Sequence, residues 1–347
     1  MISDTRGAAV PPGTPVGHLT SPAVTSVDSP AVPAALTPPA AEVRPDRRRL
    51  LRVALWAVLA AAFAATCVED GLPTDRVVLL GWVLAGLVVH ALCAGWRRLV
   101  RLVVDWFPLA AALLAYDQTR GLADGFGFPV HVTEPAAVDR WLGGGVLPTV
   151  WLQQHLTAEW WQALAALVYG SHFVVTPLVL GILWVRDRQR WARYARLVVA
   201  LSAAGLVTYV LYPAAPPWLA AKEHVIEPVH RLSGSGWQAL GLPRARALLE
   251  HGQGQVNQVA AVPSLHTAFA VLVVLVLLPF TRRVWLRVAL VGYAVLMPLV
   301  LVWAGEHYVV DTLLGTLYAV AAVLLVPRAE RAVRRLLRRR GTPTVAA

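Results

Sequence analysis

Long apolar runs alternate with short arginine-rich gaps along most of this chain, and no other feature restricts its fold as much. A helix needs ~20 consecutive apolar residues to cross the hydrocarbon of a bilayer. Runs near that length lie at about 50–68, 77–94, 99–116, 160–184, 194–212, 265–281, 284–303 and 308–327. Inside hydrocarbon the backbone must satisfy its own hydrogen bonds, so each run is expected to be helical. With 57% hydrophobic and only 15% charged residues, the chain is too apolar for an ordinary soluble domain. The expected fold is all-α, a polytopic membrane helix bundle with about eight transmembrane helices. Two N-terminal helices, within 47–98, precede a six-helix core spanning 99–328.

The arginines set the direction of the bundle. Arg47, Arg48 and Arg49 precede the first run, and Arg97, Arg98 and Arg101 join the second to the third. Arg186, Arg188, Arg190, Arg193 and Arg196 join the fourth to the fifth, and Arg282, Arg283 and Arg287 the sixth to the seventh. Arg331, Arg334, Arg335, Arg338, Arg339 and Arg340 follow the eighth. With eight crossings all these clusters share one face; removing one crossing scatters them. Cytoplasmic loops carry the excess of Lys and Arg, so both termini are expected in the cytoplasm of a multi-pass cytoplasmic-membrane protein. The net charge of +11 is thereby explained by orientation, and no nucleic-acid partner is expected. Cys67 and Cys93 fall at opposite ends of neighbouring spans, too far apart to pair.

Residues 1–46, rich in Pro and Ala without apolar periodicity, are expected to be a disordered cytoplasmic tail, and 329–347 a basic one. The opposite, extracytoplasmic face then collects residues 69–75, a connection over 116–159, another over 212–263 and the turn at Glu306. An interfacial helix is expected over Val138 to Trp151. Tyr212-Pro213-Ala214-Ala215-Pro216-Pro217-Trp218 is a stiff turn that ends the fifth span.

Every chemistry-bearing motif lies on that second face. One is Pro263-Ser264-Leu265-His266 at the mouth of the sixth span; the other is His307-Tyr308-Val309-Val310-Asp311 at the mouth of the eighth. Two crossings separate them, so His266 and His307 return to the same side. His307 and Asp311 are four apart at a helix start and share a helix face. The carboxylate can fix the ring tautomer and leave the other ring nitrogen as nucleophile or base. Ser264 suits a helix N-cap, with free backbone N–H groups and a positive dipole end beside His266 where an anion can settle. A phosphate held there has one histidine to attack phosphorus and another to protonate the leaving oxygen. Three other readings stand beside this one. Each histidine alone suits an interfacial polar residue, and Ser264 a plain cap. Two histidines and an aspartate also suit zinc with an open position, though no cysteine or His-x-x-x-His spacing adds to that set.

The paired motifs resemble the second and third motifs of the type 2 phosphatidic acid phosphatase superfamily, and more narrowly its inositol phosphorylceramide synthase-like branch. The resemblance runs from about Trp106 to Val326. It implies a membrane phosphatase or phosphotransferase, with membrane lipids as partners and a lipid phosphate as substrate, that uses neither metal nor cofactor. His307 is then the nucleophile that becomes phosphohistidine, Asp311 its orienting carboxylate, and His266 the acid for the leaving group. Two family features are missing. No Lys-x6-Arg-Pro motif is present, and the Ser-Arg pair ahead of the third motif reads Val300-Leu301. The best local substitute for that phosphate clamp is Arg120, with Tyr116 and Asp117, at the outer end of the third span; guanidinium geometry favours bidentate contact with phosphoryl oxygens. Arg120 equally suits an interfacial pair with Asp117 or Asp124. Arg140, Lys222 and His172 are weaker candidates.

If water attacks the phosphohistidine, the activity is a phosphatase; if a lipid or polyol hydroxyl attacks, it is a transferase, and the synthase-like branch favours transfer. The reading from another class is a non-catalytic transporter or scaffold. Against it, the chain shows no internal repeat and no interrupted helix pair, and only Asp105 places an acid near a span centre.

Overall fold

The computed structural model describes residues 47–69, 76–122, 127–242, 247 and 257–340. The expected N-terminal tail, Asp124 and residues 341–347 lie outside that set. Among the described residues the chain is helical and holds no strand, only isolated bridges of His131 and Ala260 to Ala214. Twelve α-helices can be bounded among the described residues. They are α1 (Arg47–Glu69), α2 (Arg76–Ala94), α3 (Trp96–Leu122), α4 (Thr133–Leu142), α5 (Pro148–His155) and α6 (Glu159–Arg186). After them come α7 (Arg188–Leu211), α8 (Pro217–Lys222), α9 (Ser235–Ala239), α10 (Leu265–Leu277), α11 (Val284–Trp303) and α12 (Val309–Arg340).

Six of these, α1, α3, α6, α7, α11 and α12, are long and apolar enough to cross a membrane, and two shorter apolar stretches, Val78–Ala94 and Leu265–Phe280, complete the expected set of eight. The protein is a multi-pass membrane bundle. Much of its apolar surface is exposed, as at Phe107, Val207 and Leu317. In lipid that face costs little, and association depends on close packing rather than escape from water. One buried cluster joins Tyr194, Leu197 and Leu201 of α7 with Ala268 and Leu272 of α10 and Ala319 of α12.

Side-chain contacts gather the arginine-rich turns at one end of the bundle. Arg98 donates to the Val185 carbonyl and stacks on Trp184. Arg188 grips Asp105, which also accepts the Trp184 indole N–H at 3.0 Å, so both oxygens of this acid within α3 are partnered. Arg190 lies over the Phe280 ring and Arg196 pairs with Glu330. The one-residue turn between α6 and α7 is capped by Asp187, which accepts from Gln189 and Arg190 N–H. Such a cap contributes about 1 kcal/mol.

Three elements depart from the sequence reading. The single interfacial helix over 138–151 is two helices, α4 and α5, because Gly143-Gly144-Gly145 turns the chain and Pro148 restarts it at the first helical turn. α3 runs on to Leu122, and α12 continues through Pro327 to Arg340 instead of ending at the span boundary. Cys67 and Cys93 are both free thiols.

Candidate active site

At the far end from the arginines, α11 closes with a Schellman motif. Gly305 N–H donates to the Val302 carbonyl at 3.1 Å and Glu306 N–H to the Leu301 carbonyl at 3.1 Å. The turn needs a left-handed residue, and Gly305, at φ 73°, supplies it where a Cβ would press on the His230 carbonyl. This sharp reversal delivers His307 directly ahead of α12. Asp311 sits three residues after the helix cap Tyr308 and reaches back to its N–H at 2.8 Å, half of a capping box. The same carboxylate oxygen lies 3.4 Å from His307 Nδ1, with the histidine side chain 6% and the aspartate 0% exposed. That distance is long for a hydrogen bond. One aspartate thus serves both helix start and imidazole.

The next two amides of α12 are held from outside. Asp139 of α4, itself fully buried, accepts Val309 N–H and Val310 N–H at 2.9 Å each. Burial first, and the neighbouring Asp311 charge as well, push its carboxyl up to about 6, against the pull of the two amides.

His266 opens α10. Ser264 caps that helix through Thr267 N–H at 3.4 Å, and its own N–H donates to the Asp311 carbonyl at 3.0 Å. The two motifs are therefore joined backbone to backbone. Gly315 makes this approach possible, since a Cβ there would collide with the Ser264 carbonyl. Tyr209 of α7 donates its hydroxyl to the Pro263 carbonyl at 2.9 Å. So placed, the His266 ring stands 5.7 Å from the His307 ring, centroid to centroid. On its other side it packs 4.1 Å from His172 and stacks 5.3 Å from Tyr169.

The two histidines face a cavity of about 340 Å³. Of the residues expected at the site, His266, His307, Tyr116, Asp117 and Arg120 line it. Asp311 stands behind His307, and Ser264 is a fully buried cap that is not on the wall. Arg120 Nε is buried and makes no hydrogen bond. Arg140 is bidentate to Glu227 and, like the exposed Lys222, lies off this wall.

The wall carries a second guanidinium that sequence reasoning missed. Arg231 lies over the Trp218 ring at 4.6 Å and makes two hydrogen bonds to Glu306, the neighbour of His307. Its backbone is braced by Gln153 of α5, whose amide donates to the His230 carbonyl and accepts His230 N–H. Asp139 and Gln153 were missed too. None carries a local signal: each meets its partner across a connection of many residues.

Comparison with known proteins agrees with this geometry. Residues 134–325 match the family pattern described as the PAP2 superfamily. The chain is also 27% identical over 290 residues to a protein of Bacteroides thetaiotaomicron named phosphoinositol dihydroceramide synthase, covering 78% of this chain and 89% of that one. No solved structure matches. The family pattern spans more than half of the chain and encloses both histidine motifs, and the chain belongs to the PAP2 superfamily.

Proposed function

We propose that this protein is a lipid phosphotransferase that moves a phosphoryl-linked headgroup onto a hydroxyl of a second lipid through a phosphohistidine. The observation that carries the reading is the pair His266 and His307, 5.7 Å apart on one cavity wall with Asp311 behind the second. With Nδ1 turned to Asp311, Nε2 of His307 attacks phosphorus. The bond to the departing lipid oxygen breaks, and protonated His266 gives that oxygen its proton. In the second half, neutral His266 takes the proton of the acceptor hydroxyl, whose oxygen attacks phosphorus. The phosphorus–nitrogen bond then breaks and His307 is restored. Arg120 and Arg231 neutralise the equatorial oxygens, the main demand of a phosphoryl transition state.

Transfer, rather than hydrolysis, is supported by the name of the Bacteroides relative, a synthase of a phosphoinositol lipid. The reading invokes no metal in either half-reaction. By the positive-inside rule the arginine-rich end is cytoplasmic and the site extracytoplasmic.

The test uses purified protein in detergent–lipid micelles containing EDTA, with phosphatidylinositol labelled on its phosphate and a ceramide acceptor. Label is expected in the ceramide product, with none after His307→Ala. Label released only as water-soluble inositol phosphate makes the enzyme a hydrolase instead of a transferase. Turnover that survives His307→Ala removes the proposed nucleophile.

A further inference from the structure

We infer that the cavity continues away from the histidines as a slot for one hydrocarbon chain of the lipid substrate, walled in part by helices outside the family-matched region. The identity of the occupant rests on the lipid reading above; the slot itself rests on geometry. Three helices follow it together: α3 from Arg120 to Trp106, α6 from Tyr169 to Leu180, and α7 from Tyr209 to Val198. At ~1.5 Å per residue the last two segments each measure about 16 Å, so two separate helices give one depth. That is about half of a ~30 Å hydrocarbon core.

The lining changes character along this path. Around the histidines it is polar, with Asp117, Arg120, Arg231 and Asn257. Deeper, Leu109, Leu113, Phe173, Leu180 and Val198 make it apolar, interrupted by Thr176 and Ser202. Buried Trp106 lies at the inner end, packed 6.1 Å from Trp191. Leu114 lines the slot yet is 54% exposed, which marks a side opening toward lipid. Polar head and apolar tail at this spacing match an amphiphile whose phosphate sits at the histidines. The volume, about 340 Å³, is at the small end for ligand pockets, which favours one chain over two.

Leu80 of α2 and the whole α3 wall lie before residue 134, where the family match begins. Selection of the chain is thus assigned to the helices that the common family pattern does not include.

The test is photocrosslinking of the full-length protein in phosphatidylcholine nanodiscs. The probe is phosphatidic acid carrying a diazirine on one palmitoyl chain, placed either at the chain end or close to the glycerol. The chain-end probe is expected to label Trp106, Leu109 and Leu180, and the glycerol-end probe Leu113 and Tyr116. Ala110→Phe, which fills the slot, lowers chain-end labelling roughly tenfold. Labelling confined to Val103, Val104 and Phe107, the outward face of the same helix, overturns the inference. So does an adduct pattern that stays put when the diazirine moves. Neither readout requires turnover: a shifting pattern without transfer strikes the catalytic reading alone, and transfer with a fixed pattern strikes the slot alone.

Discussion

The two sides of the cavity are built in opposite ways. On one side His266, His307 and Asp311 project from the starts of two helices that are joined by a backbone hydrogen bond. Asp311 and Ser264 there are fully buried. On the other, Arg120 comes from the end of α3 and Arg231 from an irregular connection. Arg231 keeps 30% of its side chain exposed and is held by an ion pair and a ring face. The first side is held in one geometry, as the proposed nucleophile and its acid require. The second offers charge on adjustable stems, adequate for neutralising phosphate oxygens over several substrate poses. Chemistry is fixed; charge is allowed to follow.

This contrast predicts a ranking of effects. Removing the nucleophile cuts deepest: His307→Ala is expected to lower transfer by roughly 10⁴-fold or more and to abolish any acid-labile phosphoryl adduct on the protein. His266→Ala comes next, at about 10²–10⁴-fold on a natural lipid. Its loss should shrink sharply on a p-nitrophenyl phosphodiester, whose leaving group departs without a proton. An equal loss on both substrates contradicts the acid role. The charged side is more forgiving: Arg231→Lys and Arg120→Lys are each expected to cost about 10–100-fold in kcat/KM, since Lys keeps the charge and loses the fork. A deeper loss than His266→Ala in either variant breaks the contrast.

The same contrast explains what was legible in the sequence. The eight apolar helices were, because hydrocarbon admits only runs of the right length and the arginines sort them by parity. The motif histidines were, because each sits within a few residues of a helix start, and two crossings return the chain to its first side. Asp311 was legible through its spacing from His307 alone. Arg231 was not: it is one basic residue in a long polar connection, and its place on the wall arises only when Trp218 and Glu306 meet its guanidinium and Gln153 holds the neighbouring His230 backbone. Asp139 was hidden for the same reason, since its partners at Val309 and Val310 lie 170 and 171 residues away in the chain. The glycine triplet that splits α4 from α5 stood in plain view, but apolar residues on both sides of it suggested one continuous helix.

Asp139 also gives the smallest and most diagnostic prediction, because it carries the fixed side of the cavity from outside that side. Its carboxyl rises from 3.8 to about 6 on folding. A raised value means the folded state prefers the neutral acid, so this group's stabilising contribution is complete below about pH 4 and is lost as pH climbs to about 6. The full loss corresponds to about 3 kcal/mol. Thermal stability of the wild type is therefore expected to decline across that window and level off above it. Asp139→Asn removes the titration, leaving a flatter profile between pH 4 and 6. It also leaves one of the two amides without its acceptor, which loosens the start of α12. The expected cost is several-fold in kcat with KM little changed, because the substrate-facing arginines are untouched. A variant whose stability keeps the wild-type slope in that window, or whose loss appears in KM instead, shows that α4 does not hold the nucleophile.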